Sequence, residues 1–353
     1  MEQNPLPPSF IETIPWAAGS SIWPSSTLVL RRNLAGYCFP SKMSAPEGKQ
    51  VLQLLKNALQ NVPEIQQPLV FHDETLAPHV RDWMHEHFLL VGGLQESPNG
   101  AAFILDKSSY LLASINRGNH LELFYLDREA NLIKAWSLLS KIDNTLEQAI
   151  QWAFSQKFGY LTADPSHAGT GFSIYAHLHL PAQVHCGKLD ESLAKQTDEN
   201  IAAIGVANES PHLAGDLVVL QNRFCIGVTE DGILRDLQNM AMKLIAAEKT
   251  TRSRLKQEAS AQMKDLISKS YGLLFHSYQL EAKEALDLLS IVKLGLQLDW
   301  ITGIDENKMN ELFFKCRRGH LSHILPQPID LKDLNHRRAE FLHQQLKELK
   351  LHI

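Results

Sequence analysis

His177, His179, His185 and Cys186 are the densest group of metal-capable side chains in the chain, and a structural zinc site would need four such groups to converge tetrahedrally. Their spacing does not specify that convergence. Alternation along a strand puts His177 and His179 on one face, and no metal is expected. The glycine pairs in "VGGL" and "GTG" are too short for a phosphate-binding fingerprint, since neither G-x-G-x-x-G nor G-x-x-x-x-G-K-[ST] is present; they read as turns. The basic run "KTTRSRLK" reads as a solvated helix face. What remains is "SINRGNHLELF", Ser114 to Phe124. Two apolar runs meet there through Arg117, Gly118 and Asn119, the pattern of a β-hairpin whose turn carries one cation.

The elements that must position these residues follow from periodicity. "SAPEGKQVLQLLKNALQNV" opens with Ser44 and Glu47 in capping-box spacing and Pro46 in the first turn, predicting a helix. From about residue 70 to 228 come short β-rich runs, "AAFILD", "YLLASI", "LELFYL", "SIYAHLHL", "AAIGVA" and "LVVLQN", parted by turn residues and implying an antiparallel sheet. "LEQAIQWAFSQKFGYL" interrupts them with helical spacing, so the region is α+β. After Thr229, an N-cap followed by Glu230 and Asp231, the pattern is helical almost to the terminus. "ILRDLQNMAMKLIAAEKTTRSRLKQEASAQMKDLISKSYGLL" reads as one long helix, and three more follow. The fold class is thus α+β, an antiparallel sheet flanked by helices and then an all-helical C-terminal domain. The boundary falls near residues 230 to 250, giving domains 1–240 and 241–353.

Composition limits the partners. The 353 residues, 44% hydrophobic, suffice for at least one large core. With 34 Lys and Arg against 39 Asp and Glu, no global charge attracts nucleic acid or an anionic membrane. Four scattered cysteines, Cys38, Cys186, Cys225 and Cys316, favour a reducing compartment. No export signal or membrane span is evident, so the expected location is cytoplasmic.

Four segments, "SSTLVLRRNLAGYCFP", "RDWMHEHFLL", "SINRGNHLELF" and "FGYLTADPSHAGTGFSIYAHLHLP", resemble in order and spacing the ATP:guanidino phosphotransferases (phosphagen kinases), most closely the bacterial protein arginine kinases. A fifth, "LQNRFCIGVTEDGIL", and the helical stretches "ISKSYGLL", "EALDLLSIVKLGLQL" and "HRRAEF" extend the resemblance over nearly the whole chain. It implies a sheet that cradles ATP and a reaction moving the γ-phosphoryl of Mg-ATP onto a guanidino nitrogen. Arginines would neutralise the phosphates and carboxylates would orient the guanidinium.

Carried over position by position, that set is missing. The family's S-S-R-[VI]-R-L-A-R-N-L puts phosphate-binding arginines at Thr27 and Val29, and only the third persists, as Arg32. The hairpin pattern I-N-E-E-D-H-L-R falls on Arg117, Gly118, Asn119 and Glu122 at its catalytic positions. In C-P-T-N-x-G-T-G-x-R-A-S, Asp164 stands for the cysteine and Ser173 for the phosphate-clamping arginine; in N-x-R-x-x-G, Phe224 stands for the arginine. His87 and His177 match histidines beside the adenine or ribose, which with Arg32 makes them the candidate nucleotide residues. Asp164 is the candidate substitute carboxylate. In the family's phosphoarginine receptor motif R-D-x-x-R-A, Arg338 is the retained arginine.

The leading expectation is therefore a pseudokinase of the protein-arginine-kinase type, acting through protein contacts as a regulator or scaffold. No cofactor is expected, with ATP and magnesium only if the site still works. One alternative is an active guanidino phosphotransferase with a remodelled site using Arg32, His87, Asp164 and His177. Another is a guanidino or phosphoarginine binding module using Arg338. By resemblance alone, the partners are a small zinc-binding activator protein, a Clp-type unfoldase and a second copy of the chain.

Overall fold

Both sides of each central strand are apolar, with Leu28 and Leu30 on one face and Val29 on the other, which is what a sheet covered on both faces requires. The computed structural model describes residues 6–16, 19–91, 100–194, 200–205, 214–325 and 330–353. Its strands are β1 (Ser25–Arg32), β2 (Leu69–His72), β3 (Ala102–Leu105), β4 (Leu111–Ile115), β5 (Leu121–Asp127), β6 (Phe154–Ser155), β7 (Gly159–Tyr160), β8 (Phe172–His179), β9 (Ile201–Gly205), β10 (Leu217–Asn222), β11 (Ile301–Thr302) and β12 (Lys350–Leu351). Eight form one sheet in the order β2-β3-β4-β5-β1-β8-β10-β9, every neighbouring pair antiparallel. All six β-rich runs read from sequence are strands. The "VGGL" turn lies largely outside the described residues.

One face packs Leu28, Leu30, Leu123, Ile174 and Leu220 against the helices Ala45–Gln60 and Leu132–Glu147 and the first half of Glu230–Glu258. The other packs Val29, Phe103, Phe124, Tyr175 and Val219 against the C-terminal helices, through Leu289, Phe313 and Phe314. The capping box at Ser44 forms, with the Glu47 carboxylate returning to the Ser44 N–H at 2.9 Å. Thr229 Oγ1 accepts the Gly232 N–H at 3.2 Å.

Two readings change. The helix in the middle of the sheet region is Leu132–Glu147, and "AIQWAFSQKFGYL" is instead a loop and the β6–β7 ribbon. Trp152 is drawn into a bridge with Leu34 and buried in the core, so its apolar spacing serves tertiary packing rather than a helix face. The long helix breaks in two, Glu230–Glu258 and Ala261–His276, because Ala259 takes φ 45° and Ser260 caps the second helix. The first of these runs without interruption through residue 240. Among the described residues no helix is long and apolar enough to cross a membrane.

The loop that carries "GTG" is held by close backbone contact. Gly169 has φ +103°, and a Cβ on it would lie 2.2 Å from the Cys225 carbonyl oxygen. Gly169→Ala should therefore lower stability by more than about 1 kcal/mol, read as a drop in thermal midpoint. Gly36→Ala, at φ +81° with nothing within 4 Å, is the control that carries backbone strain alone. Equal shifts in the two variants would refute the steric account.

Candidate functional site

Strand parity decides which cation lies on the face where the resemblance expects the phosphate arginines. On β1, Thr27, Val29 and Arg31 point to one face, while Leu28, Leu30 and Arg32 point to the other. Counting arginines along the motif selects Arg32; counting parity selects Arg31, a residue the motif comparison passes over. Arg31 pairs in register with Glu122 on β5, and Val29 with Phe124 and Ser173. Its guanidinium is buried, donates from Nη1 to Ser173 Oγ at 2.8 Å, and has Nε 3.4 Å from Glu122 Oε1. Asn119 Nδ2 donates to the same Glu122 oxygen at 2.9 Å. Burial opposes the charge of Arg31, but Tyr175 and Glu122 outweigh it and hold its pKa above the ordinary value. One arginine thus occupies the face where the resemblance expects several, and a carboxylate neutralises it.

Arg32 lies on the opposite face, 2% exposed. It forks onto Asp143, with Nη2 2.6 Å from Oδ2 and Nε 3.1 Å from both oxygens, and Nη1 reaches the carbonyls of Arg31 and Thr170 at 3.0 Å each. The Tyr160 ring stacks 3.5 Å from its centre. The side chain is committed to structure.

The hairpin is equally committed. Asn116 adopts φ 57° and ties the turn to the Gly48 and Gly100 carbonyls at 2.8 and 3.2 Å. Arg117 Nη1 sits 2.6 Å from Asp73 Oδ1, which Arg81 also reaches at 3.0 Å. Burial lowers the Arg117 pKa, and Asp73 pulls against that. Gly118 is half-buried. Asn119 Oδ1 accepts from Asn33 Nδ2 at 2.7 Å and from the Ala163 N–H at 2.9 Å. His120 accepts the Leu34 N–H on Nδ1 at 3.0 Å and so donates from Nε2 to the Cys38 carbonyl at 2.8 Å. It is a neutral ring whose pKa burial lowers.

The two candidate nucleotide histidines are packed against the chain's own aromatic rings. His177 stacks on Phe88 at 3.9 Å and 10°; burial pushes its pKa down to about 3. His87 stacks on Trp83 at 4.5 Å, is held well below its usual pKa by burial, and has no hydrogen-bond partner on either nitrogen among the described residues. Phe314, from the C-terminal helices, meets Phe88 edge-on at 5.4 Å. Thr27 Oγ1 donates to the Phe88 carbonyl. The surroundings of His87 and His177 are therefore filled by Trp83, Phe88 and Phe314.

The remaining candidates disperse. Asp164 is exposed and caps the short turn Pro165–His167 through the Ser166 N–H at 2.9 Å, which lowers its pKa. Arg338 is buried in the C-terminal helices, donating to the carbonyls of Cys316 and Leu280 at 2.7 Å each. His179 bonds Ser290 Oγ at 2.7 Å and His185 bonds Asp216 Oδ2 at 3.1 Å. Cys186 is a free, half-buried thiol. Among the described residues no three His, Cys, Asp or Glu groups are placed to hold a metal.

Comparison with known proteins fits this geometry. Residues 50–251 match the family model of the ATP:guanido phosphotransferase C-terminal catalytic domain, and residues 260–352 match the C-terminal domain of protein-arginine kinase McsB. The chain is 33% identical over 98% of its length to a protein-arginine kinase from Chlamydia pneumoniae, covering 98% of that protein. It is 31% identical over 93% of its length to one from Halalkalibacterium halodurans, covering 92%. Among solved structures, a lombricine kinase superposes with TM-score 0.57 at 17% identity, covering 71% of this chain and 73% of that one. A duplicated taurocyamine kinase from Schistosoma mansoni gives 0.58 at 21%, covering 69% of this chain and 36% of that one. An antiparallel sheet, the five motif segments on its strands, loops and flanking helices, and the two successive domain matches together place the chain in the protein-arginine kinase branch of the ATP:guanido phosphotransferase family.

Proposed function

We propose that this chain is a member of that family that has given up phosphoryl transfer and acts through protein contacts as a regulator or scaffold. The observation that carries the reading is the neutralised cation on the phosphate face, Arg31 held between Glu122 and Ser173. A phosphate clamp draws its strength from several uncompensated positive charges in a partly dry site. Here Thr27 and Val29 are neutral, Glu122 is anionic, and Phe224 is an exposed apolar ring. These residues do not fit the triphosphate and magnesium that the family's reaction uses. Removal of one oxyanion-type donor costs about 2.7 to 4 kcal/mol, so losing several would abolish useful turnover. Arg117, tied to Asp73, would also repel a guanidinium substrate.

A zinc-binding activator and a Clp-type unfoldase are the partners this reading takes from the resemblance, with a second copy of the chain a further one. Four free cysteines support placing the protein in the cytoplasm. A second reading, an active phosphotransferase with a remodelled site, is favoured by the protein-arginine kinase names of its relatives and by the guanidinium that Arg31 returns to the phosphate face.

Calorimetric titration with Mg-ATP, paired with transfer assays on free arginine and on an arginine-rich protein, separates the two. The expected result is no saturable heat and no phosphoarginine. Transfer that disappears in Arg31→Met would sink the first reading in favour of the second.

A further inference from the structure

Two glycines nest three loops at one end of the sheet. A Cβ on Gly159 would lie 2.6 Å from the Gly169 carbonyl oxygen, and one on Gly169 would lie 2.7 Å from the Ile226 Cα. The ribbon, the "GTG" loop and the segment after β10 therefore touch backbone to backbone. That contact brings together the segments carrying Phe154, Phe158, Phe224 and Ile226, which are 59%, 47%, 49% and 45% exposed. Grouped exposed apolar side chains of this size mark a surface that another molecule covers. Phe224 is the clearest case, because it presents a phenyl ring to solvent at a position where the resemblance expects an arginine.

Beside the rim a cavity of about 570 Å³ opens between Glu147, Trp152, Phe154 and Tyr160. Asp143 behind it is already matched by Arg32. Glu147 has no ion pair among the described residues, and the Tyr160 pKa is raised first by burial and then, against the pull of Arg32, by Asp143, Glu147 and Glu230. The nearby cations are turned elsewhere: Lys157 folds over Phe158, Arg223 bonds the Ile201 carbonyl, and Arg235 pairs with Asp236. The Phe154 ring beside the Glu147 carboxylate at the cavity mouth selects a cationic side chain.

We infer that this rim docks an extended segment of a partner protein whose apolar side chains cover Phe154, Phe158, Phe224 and Ile226 and whose adjacent arginine or lysine enters the cavity at Glu147 and Tyr160. The inference rests on the reading that the protein works through protein contacts, and it adds where that contact is made and the chemistry of what makes it.

The test is a positional-scanning library of short peptides bound to the full chain without nucleotide. Selected peptides should carry arginine or lysine next to large apolar residues, with binding about tenfold weaker in Glu147→Gln and in Phe224→Ser; both positions are exposed, so folding is not at stake. Selection of acidic peptides, no selection, or selection unchanged by both variants would overturn it. So would loss of binding in Arg117→Ala alone, which would move the contact from the rim to the hairpin. A concentration-dependent dimer abolished by Phe224→Arg would assign the rim to a second copy instead. Mg-ATP turnover with rim selection intact would sink the pseudokinase reading while leaving the docking site standing, so the two failures are distinguishable.

Discussion

Arg32→Ala should destabilise the protein by about 3–5 kcal/mol, the largest single effect the structure predicts. The arginine is almost wholly buried, and its partner Asp143 has a side chain 9% exposed. Truncating it strands that carboxylate in the core and leaves the Arg31 and Thr170 carbonyls without their donor. It also leaves a gap beneath the Tyr160 ring. The paired variant Arg32→Met with Asp143→Leu removes both charges together and should recover most of the loss, since replacing a buried pair by apolar groups of similar volume is often close to neutral. Urea unfolding of the two variants beside the parent reads this directly. A loss under about 1 kcal/mol in Arg32→Ala would mean that the pair is more hydrated than its burial implies.

Acid should unfold the protein well before its carboxylates titrate. His87, His177 and His179 are buried with pKa values pushed far down, chiefly by burial, that of His177 to about 3. In the unfolded chain each titrates near 6.5. The unfolded state therefore binds more protons below that pH, and stability that is complete above about pH 6.5 is lost as the pH falls. With the unfolded imidazole half protonated at pH 6.5, each histidine contributes about 1 kcal/mol between pH 6.5 and 5.5, so the three together remove about 3 kcal/mol over that interval. His185 works the other way. Asp216 raises its pKa against burial, so its contribution is present in acid and fades as the pH rises, offsetting part of the loss. Urea midpoints at pH 7.5 and 5.5 should differ accordingly, and His177→Gln should flatten the dependence. Equal midpoints at the two pH values would refute it.

The strands were legible because each carries its own signal, alternation or a short apolar run bounded by turn residues, and the Ser44 and Thr229 caps are local too. What escaped was set by distant contacts. Trp152 spaces apolar residues as a helix would, yet its partner is Leu34 far back in the chain. Ala259 is a good helix former that packing holds at positive φ, and nothing local announces it. At the site the motif positions that lost their arginines and glutamates were plain, whereas the compensation was not. Arg31 gains its meaning only when pairing in register sets it against Glu122 and beside Ser173. Alternation along β1 was the available signal, for it puts Arg31 with Thr27 and Val29 and Arg32 with Leu30.

Helix Glu230–Glu258 joins both cores, Leu234, Leu237 and Leu244 lying in one and Leu255 in the other. Its 29 residues make a rod of roughly 43 Å at the usual rise. Such a rod transmits torque. Its first turn stands next to the rim that carries Phe224 and Ile226, and Glu248, about two-thirds of the way along, grips the Ala182 and Gln183 amides at 3.0 and 2.9 Å. A tilt of about 5° at the first turn would carry the last by roughly 4 Å. Whatever covers the rim therefore touches a helix that also reaches the C-terminal core at Leu255.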